Sequence, residues 1–301
     1  MRPTRKFNRK VAIGAAAASA LTLGLAVPAI AGGGSTSDNP GHNEACGTTA
    51  AGATSCLSSI QAAVNYAGAG GTVNVGEGTF DEHVSIPYGL TLRGSGNATQ
   101  IEGDLSAPLI NDNTTAVTTN TPPLTIEDLT LKASSATGSA AQPGYLMVVK
   151  DRNSGNLDRI SNITFTEDKP ALRDYGLDNE NSTAALAITS NTFHGMGVGV
   201  LIDVNSASSS GNLGADLVTA NDFDQLATFG TKLPKGIALS INTSSGNPSA
   251  GAQVFDGNVF NYKGGTAISV AGSGPVGVVS SHDDNFQGQD YGVNNMSTNP
   301  S

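Results

Sequence analysis

The chain has 301 residues, of which 15 are Lys or Arg and 25 are Asp or Glu, giving a formal net charge of −10 at pH 7. An acidic surface of this kind repels nucleic acid and acidic lipid, and no basic stretch interleaved with aromatic residues is present to bind nucleic acid. The 38 Gly residues and the lack of Trp predict a turn-rich all-β protein and argue against a sugar-binding platform made of Trp.

The N-terminus has the pattern of a secretory signal peptide. A basic segment with no acid precedes an apolar run over 11–27 and an Ala29-Ile30-Ala31 cleavage site. We therefore predict a signal peptide over 1–31 and a secreted protein. A membrane anchor is the alternative, but the run is short and ends at Pro28. Cleavage would remove five basic residues and no acid, leaving a net charge of −15.

Residues 32–56 are rich in Gly, Ser, Thr and Asn and are predicted to be a flexible leader. They contain both cysteines of the chain, Cys46 and Cys56. In an exported protein this pair predicts a disulfide that closes a small loop. A catalytic thiol or metal pair is the alternative, but no His stands at zinc-like spacing.

A short helix is predicted next, over Leu57–Ala67, because Leu57, Ile60, Val64 and Ala67 recur at helical spacing. Ser55 or Thr54 is available as its N-cap and Gly68 as its end. We expect this helix to cover the N-terminal end of the stack of strands that follows.

The stretch 71–103 carries three short apolar pairs at spacing two, each bounded by Gly, Pro or Asn: Val73 with Val75, Val84 with Ile86, and Leu90 with Leu92. It resembles the opening turns of the pectin-lyase-like superfamily. The local G-x-[YF]-x-E-x-V pattern of pectinesterases matches Gly78, Phe80, Glu82 and Val84. The resemblance implies an all-β fold, a single-domain right-handed parallel β-helix over 57–295 with an N-terminal capping helix and a tail over 296–301.

The same unit recurs along the chain, first around 124–131 and 159–165 and then with a shared ending. The ending is Asn-x-Phe, or Asp-x-Phe in the last case, at Asn191/Phe193, Asn221/Phe223, Asn258/Phe260 and Asp284/Phe286. The Asn is predicted to adopt the left-handed bend between two strands and to form an amide ladder, while the Phe joins Phe165 in a core column. The spacing predicts about nine coils.

The catalytic motifs known from this superfamily are missing. Active pectinesterases add Gln-Asp-Thr-Leu, Asp-Phe-Ile-Phe-Gly and Leu-Gly-Arg-Pro-Trp segments, and none occurs here. The polygalacturonase and pectate-lyase patterns are also missing. Paired carboxylates at Asp283 and Asp284 are a weaker candidate for glycoside hydrolysis, because neighbours in a strand face opposite sides.

A cluster of charges between Lys150 and Asp174 is the main candidate site. β-Elimination of a uronate requires a base and a positive group that neutralises the substrate carboxylate. We assign the candidate roles as follows: Lys150 or Lys169 as base, Arg152 and Arg159 as carboxylate contacts, Arg173 and Asp174 as substrate-binding residues, and Asp151 and Asp168 as calcium ligands. The alternative is that these charges form exposed ion pairs of little energetic weight.

Two functions remain open from the sequence. The first is a secreted protein that binds or acts on extracellular polysaccharide, with polyuronate cleavage by a lyase as one form and calcium as its one suggested cofactor. The second is a non-catalytic surface or matrix protein that displays loops to a partner. Neither predicts nucleic acid as a partner or membrane attachment after signal cleavage, and both leave the oligomeric state open.

Overall fold

The structure is a computed structural model. It describes residues 40–113, 122–135, 144–150, 157–167, 174–180, 185–204, 216–224, 236–243, 253–262, 264–272 and 279–295. All of these residues belong to one compact unit, Thr36–Ser301.

The described chain begins with an antiparallel pair of strands, β1 (Ala45–Thr48) and β2 (Thr54–Leu57). Cys46 and Cys56 stand directly opposite each other in this pair and form a disulfide, which confirms the predicted bond. The segment predicted to be a flexible leader is therefore ordered from Ala45 onward. Cross-linking at a paired position holds both strands extended, an effect that composition does not reveal.

The helix α1 (Ile60–Ala67) follows, and it starts later than predicted. Ser59 is the N-cap, with its hydroxyl accepting a hydrogen bond from the Ala62 amide at 3.3 Å. The predicted cap Ser55 and the predicted first residue Leu57 both lie in β2, because the disulfide-linked pair keeps them extended. The predicted end is correct: Gly68 has a φ of 68° and donates its amide to Val64 O.

The pectinesterase-like motif anchors α1. The Glu82 carboxylate accepts hydrogen bonds from the amides of Ile60 at 2.8 Å and Gln61 at 3.1 Å, which are free donors at a helix start. Gly78 has a φ of 137°, and a Cβ there would collide with the Asn43 side chain. The motif thus has a structural role in this chain.

The remaining strands form eight successive levels, which we call rungs. Rungs 1 and 2 comprise β3 (Thr72–Val75), β4 (Gly78–Asp81), β5 (Val84–Ile86), β6 (Thr91–Arg93), β7 (Thr99–Asp104) and β8 (Ile110–Asp112). Rungs 3 and 4 comprise β9 (Thr125–Ser135), β10 (Gly144–Lys150), β11 (Asp158–Glu167) and β12 (Asp174–Glu180). Rungs 5 and 6 comprise β13 (Leu186–Thr189), β14 (Thr192–His194), β15 (Val198–Val204), β16 (Asp216–Thr219), β17 (Asp222–Asp224) and β18 (Ile237–Thr243). Rungs 7 and 8 comprise β19 (Gln253–Asp256), β20 (Val259–Asn261), β21 (Thr266–Gly272), β22 (Val279–His282), β23 (Asn285–Gln287) and β24 (Tyr291–Asn295).

Each rung adds one strand to an 8-stranded sheet and one or two strands to a 16-stranded sheet that also contains β1 and β2. All pairings between rungs are parallel. The structure therefore confirms an all-β chain built of long parallel sheets, compatible with a β-solenoid. Eight rungs are seen in the described residues, where the sequence predicted about nine coils.

The core forms because equivalent apolar residues of successive rungs lie in register. In the 8-stranded sheet the column consists of Val84, Ile110, Met147, Leu177, Val200, Leu239 and Ile268, all buried. Burial of each such side chain contributes about 1.5–3 kcal/mol. The alternating residues face the other way, so the sheet has one inner and one outer face.

The predicted phenylalanine column is present. Phe165, Phe193, Phe223, Phe260 and Phe286 stack in nearly parallel orientation, with successive ring centroids 4.6, 4.9, 5.2 and 5.0 Å apart. The first four are fully buried, whereas Phe286 in rung 8 is 40% exposed because no described rung covers it. The spacing follows from the distance between parallel strands.

The asparagine ladder is also present, with one correction. The Nδ2 groups of Asn191, Asn221 and Asn258 each donate to the side-chain oxygen of the next rung, at 3.0, 3.0 and 2.9 Å. The left-handed bend, however, falls on the residue before each Asn, such as Ser190 or Ala220, with φ values of 58° and 54°. The bend turns the Asn side chain inward, where its amide is buried and must be paired.

The ladder ends at Asp284. One of its carboxylate oxygens accepts the Asn258 amide groups, and the other accepts the Ser281 hydroxyl. Asp284 therefore has the structural role that its place in the repeat predicts, and its neighbour Asp283 occupies the left-handed position with a φ of 51°.

Candidate functional site

Only three residues of the predicted charge cluster, Lys150, Arg159 and Asp174, lie within the described residues. Asp151, Arg152, Asp168, Lys169 and Arg173 lie outside the described residues. Lys150 ends β10 in the 8-stranded sheet, whereas Arg159 is exposed on β11 in the 16-stranded sheet. Asp174 has no exposed surface, and neither of its carboxylate oxygens has a hydrogen-bond partner. A substrate-binding role for Asp174 requires an accessible carboxylate, and the structure buries it beside Gly144, where an added Cβ would lie 2.7 Å from its Oδ1.

A different group of side chains meets on the outer face of the 8-stranded sheet. We call it the tyrosine–carboxylate patch, and it consists of Tyr145, Lys150, Tyr175, Asp178, Glu180 and Asp203. The register places Tyr145 beside Tyr175, and it places Glu180 between Lys150 and Asp203. The patch thus spans the three adjacent strands β10, β12 and β15.

The two tyrosines form the apolar part of the patch. Their rings stack with centroids 5.1 Å apart and an interplanar angle of 22°, and both side chains are half-buried. Burial, followed by the charge of Asp178, raises the pKa of the Tyr145 hydroxyl. The hydroxyl of Tyr145 is therefore held protonated, as a hydrogen-bond donor, across the physiological pH range.

Asp178 is the unusual residue of the patch. It lies in register between Val148 and Leu201, is only 4% exposed, and its Oδ1 has no hydrogen-bond partner. Burial raises the pKa of this carboxyl to about 8, the charges of Asp203 and Glu180 add to the shift, and Lys150 opposes it. Asp178 therefore carries a proton at neutral pH.

The other two carboxylates have polar neighbours. Glu180 Oε1 is 3.0 Å from the Nζ of Lys150, forming an ion pair that remains partly exposed. The Asn242 Nδ2 donates to Asp203 Oδ1 at 3.4 Å. The patch therefore combines a protonated carboxyl with two carboxylates on one surface, an arrangement that the sequence alone did not suggest.

A further buried carboxyl, Asp216, lies in the interior and is not part of the patch. Asn179 Nδ2 is 3.3 Å from each of its oxygens. Burial raises the pKa of Asp216 to about 7, although hydrogen bonds from Gln253, Leu186 and Asn179 oppose the shift. Because Asp216 is enclosed, we regard it as a structural polar contact between rungs.

One signal in the sequence could have located the patch. Gly144-Tyr145 and Asp174-Tyr175 begin similar segments 30 residues apart, which is the length of one rung. Aligning these segments sets Lys150 against Glu180 directly. Charges that are only close together along the chain need not meet, because such a stretch passes through both sheets.

Within the described ranges, no group of three or more His, Cys, Asp or Glu residues is arranged to hold a metal ion. The predicted calcium ligands Asp151 and Asp168 lie beyond these ranges, so that prediction stands untested. The same part of the chain has no helix long and apolar enough to cross a bilayer.

Comparison with known proteins gives little further information. No family model and no curated protein matches the chain. Among solved structures, a chain described as ORF18 of Geobacillus virus E2 is similar, with 15% sequence identity and a TM-score of 0.35. The similarity covers 79% of this chain and 58% of that one. The resemblance to the pectin-lyase-like superfamily therefore stays a prediction.

Proposed function

We propose that the protein is a secreted, right-handed parallel β-helix protein that binds an extracellular polysaccharide on the tyrosine–carboxylate patch. The alternation of successive strands between two parallel sheets supports the β-helix, and right-handed crossovers are the rule for parallel strands. The buried residues of α1, next to β1 and β3 at the first rung, support its role as the N-terminal cap. The basic and apolar pattern of 1–31 supports secretion.

The observation that carries the proposal is the combination of stacked tyrosines with hydrogen-bonding carboxylates on one sheet surface. Sugar rings present apolar C–H faces and many hydroxyl groups, so their sites combine aromatic surface with charged or polar acceptors. Tyr145 and Tyr175 provide the aromatic surface, while Glu180 and Asp203 provide acceptors for hydroxyl groups.

The charge of the patch indicates which polysaccharides fit. Among the described residues of the patch, three carboxyl groups surround one cation, Lys150, and that cation is paired with Glu180. A polyuronate would bring further negative charge to this surface. Because Arg159 lies in the other sheet, the proposed ligand is a neutral or amino-sugar chain rather than the uronate suggested by the sequence.

Affinity gel electrophoresis against xylan, β-1,3-glucan, chitosan and polygalacturonate tests this proposal. We expect retardation by at least one of the first three polymers and at least a tenfold loss of affinity in the Tyr145→Ala/Tyr175→Ala double variant. The Tyr291→Ala variant is the matched control, because Tyr291 is 60% exposed and its strand β24 lies four strands away from β12 in the same sheet. Equal binding by the double variant and the wild type would refute the assignment of the patch.

A further inference from the structure

We infer that rung 8 is a docking surface for a basic, strand-forming segment of another protein, which adds to the stack as a further rung. Among the described residues, the strands β22, β23 and β24 of this rung pair with the preceding rung and with no other strand. Addition of a strand to such an edge is a common mode of peptide recognition. β24 is three strands from β15, the nearest strand of the tyrosine–carboxylate patch, so docking here is independent of the proposed polysaccharide binding.

The opposite end of the stack shows how this chain closes an edge. β1 pairs antiparallel with β3 of rung 1. In β5 of the same rung, the Ser85 amide donates to the Gln61 Oε1 at 2.6 Å, and the Gln61 Nε2 donates to the Ser85 carbonyl at 3.1 Å. A side chain of α1 therefore occupies both backbone groups of Ser85. No strand or helix follows rung 8 in the described residues to close that edge in the same way.

The core columns that reach rung 8 end in two different ways. Phe286 ends the phenylalanine column and is 40% exposed, and Val293 ends the inner column of the 8-stranded sheet and is 57% exposed. A third buried column, that of Val218 and Phe255, ends instead at the polar Ser281. Rung 8 thus presents apolar side chains with polar groups beside them, which is the composition of a protein–protein interface.

The charge at this end specifies the chemistry of the partner. Residues 264–301 contain three Asp and no Lys or Arg. Asp284 stands two residues before Phe286, and both of its carboxylate oxygens are acceptors, one for the Asn258 amide and one for the Ser281 hydroxyl. In a strand added in the same register, a Lys or Arg two residues before an apolar residue would face Asp284 while the apolar side chain covers Phe286.

The same charges disfavour the other occupants of this surface. A second copy placed end to end would bring Asp283, Asp284 and Asp290 against the same three acids. A second copy placed head to tail would present its first rung, which β1 and Gln61 already close. The segment 296–301 contains no basic residue that could meet Asp284. A basic segment of a different protein is the occupant that fits.

Fluorescence anisotropy of a labelled peptide, titrated with the full chain, tests this inference. The probe has the sequence of 257–262 with Asn258→Lys, which places Lys two residues before Phe260. The control peptides carry Asn258→Asp or Phe260→Ser instead. We expect saturable binding of the Lys peptide with a Kd below about 1 mM and at least about fivefold weaker binding of each control peptide. The preference for Lys over Asp should decrease as the salt concentration rises.

Variants of the protein locate the binding surface. Phe286→Ser and Val293→Ser should each weaken binding of the Lys peptide at least about fivefold. Leu217→Ser is the matched control and should bind within about twofold of the wild type, because Leu217 is 38% exposed on β16, away from rung 8. Asp284→Asn retains an oxygen that can accept the Asn258 amide, so it tests the charge without breaking the ladder. It should abolish the preference for Lys over Asp.

Three results would overturn the inference. Equal binding of the Lys and Asp peptides would remove the basic partner. A dimer of the wild type in sedimentation velocity, lost in Phe286→Ser, would assign rung 8 to a second copy. A chain truncated after Asn295 that binds the Lys peptide at least about tenfold more tightly than the full chain would assign rung 8 to residues 296–301. A monomeric wild type and equal binding by the truncated chain would support the docking of a separate protein.

Discussion

Replacing Asp178 by Leu should make the protein more stable. The substitution removes a buried carboxyl with an unpartnered oxygen, whose desolvation costs about 1–3 kcal/mol, and it continues the apolar column between Val148 and Leu201. At the acid end of the pH range, where the carboxyl is protonated in both folded and unfolded chains, we expect a net gain of about 2–3 kcal/mol in the free energy of unfolding. For a chain of this size the melting temperature should rise by about 4–12 °C.

The gain should depend on pH, with a sign fixed by the pKa of Asp178. The folded-state pKa is about 8 and the model value for Asp is 3.8, so the native carboxyl keeps its proton over a range in which the unfolded chain has lost it. The contribution of Asp178 to the stability of the wild type therefore falls as pH rises from about 4 to about 8. The advantage of Asp178→Leu should be smallest near pH 4 and largest near pH 8.

Calorimetric melting of both proteins at intervals from pH 4 to pH 9 measures this difference. Asp216, with its pKa raised to about 7, contributes a slope of the same sign to both proteins and cancels in the comparison. Asp178→Asn is the control, since it removes the titration without adding apolar surface. A stability gap that is constant over this range, or that shrinks toward pH 8, would show that the carboxyl is not desolvated as described.

Three further substitutions test the framework, each by denaturant melting. Asn221→Ala removes four side-chain hydrogen bonds of the ladder and should lower the free energy of unfolding by about 2–4 kcal/mol. The control, Asn261→Ala on the exposed end of β20, should lower it by less than about 0.5 kcal/mol. Similar losses in the two variants would mean that the ladder does not stabilise the stack. Glu82→Gln should destabilise the protein by about 1–2 kcal/mol because it weakens the anchoring of α1, and an unchanged midpoint would contradict that role. Phe223→Ala should lower the free energy of unfolding by about 3–5 kcal/mol, and Phe286→Ala by less than half as much, because only Phe223 is fully buried. A larger loss in Phe286→Ala would contradict the described column.

The repeating core could be predicted from sequence because its determinants are local. Each Asn-x-Phe segment carries its own bend, its inward amide and its inward ring, so the columns form whatever the length of the chain between rungs. The position of the bend was predicted one residue too late, because Asn is common at left-handed positions. In this chain the residue before it, for example Ala220, takes that conformation instead.

The candidate site could not be predicted in the same way. Tyr145, Tyr175 and Asp203 come from three rungs, and only the pairing register brings them together. The burial of Asp178 depends on its neighbours in adjacent strands, which hydropathy along one strand does not show. Lys150 was identified as a candidate base, but the residue it pairs with, Glu180, was not among the residues singled out from the sequence.

The asparagine ladder also has consequences for how this protein can lengthen or aggregate. Each Asn side chain accepts a hydrogen bond from one neighbouring rung and donates one to the other. A duplicated rung inserted between rungs 5 and 7 would therefore find complementary groups on both sides. Asp284 offers oxygen where a donor would be needed, and a further Asn placed on that edge would meet like partial charges. The row of hydrogen bonds therefore ends at Asp284, because an acid at this position has no amide group to donate to a further rung. It discourages a second molecule from adding its own ladder at this edge, which is a hazard of any exposed parallel strand.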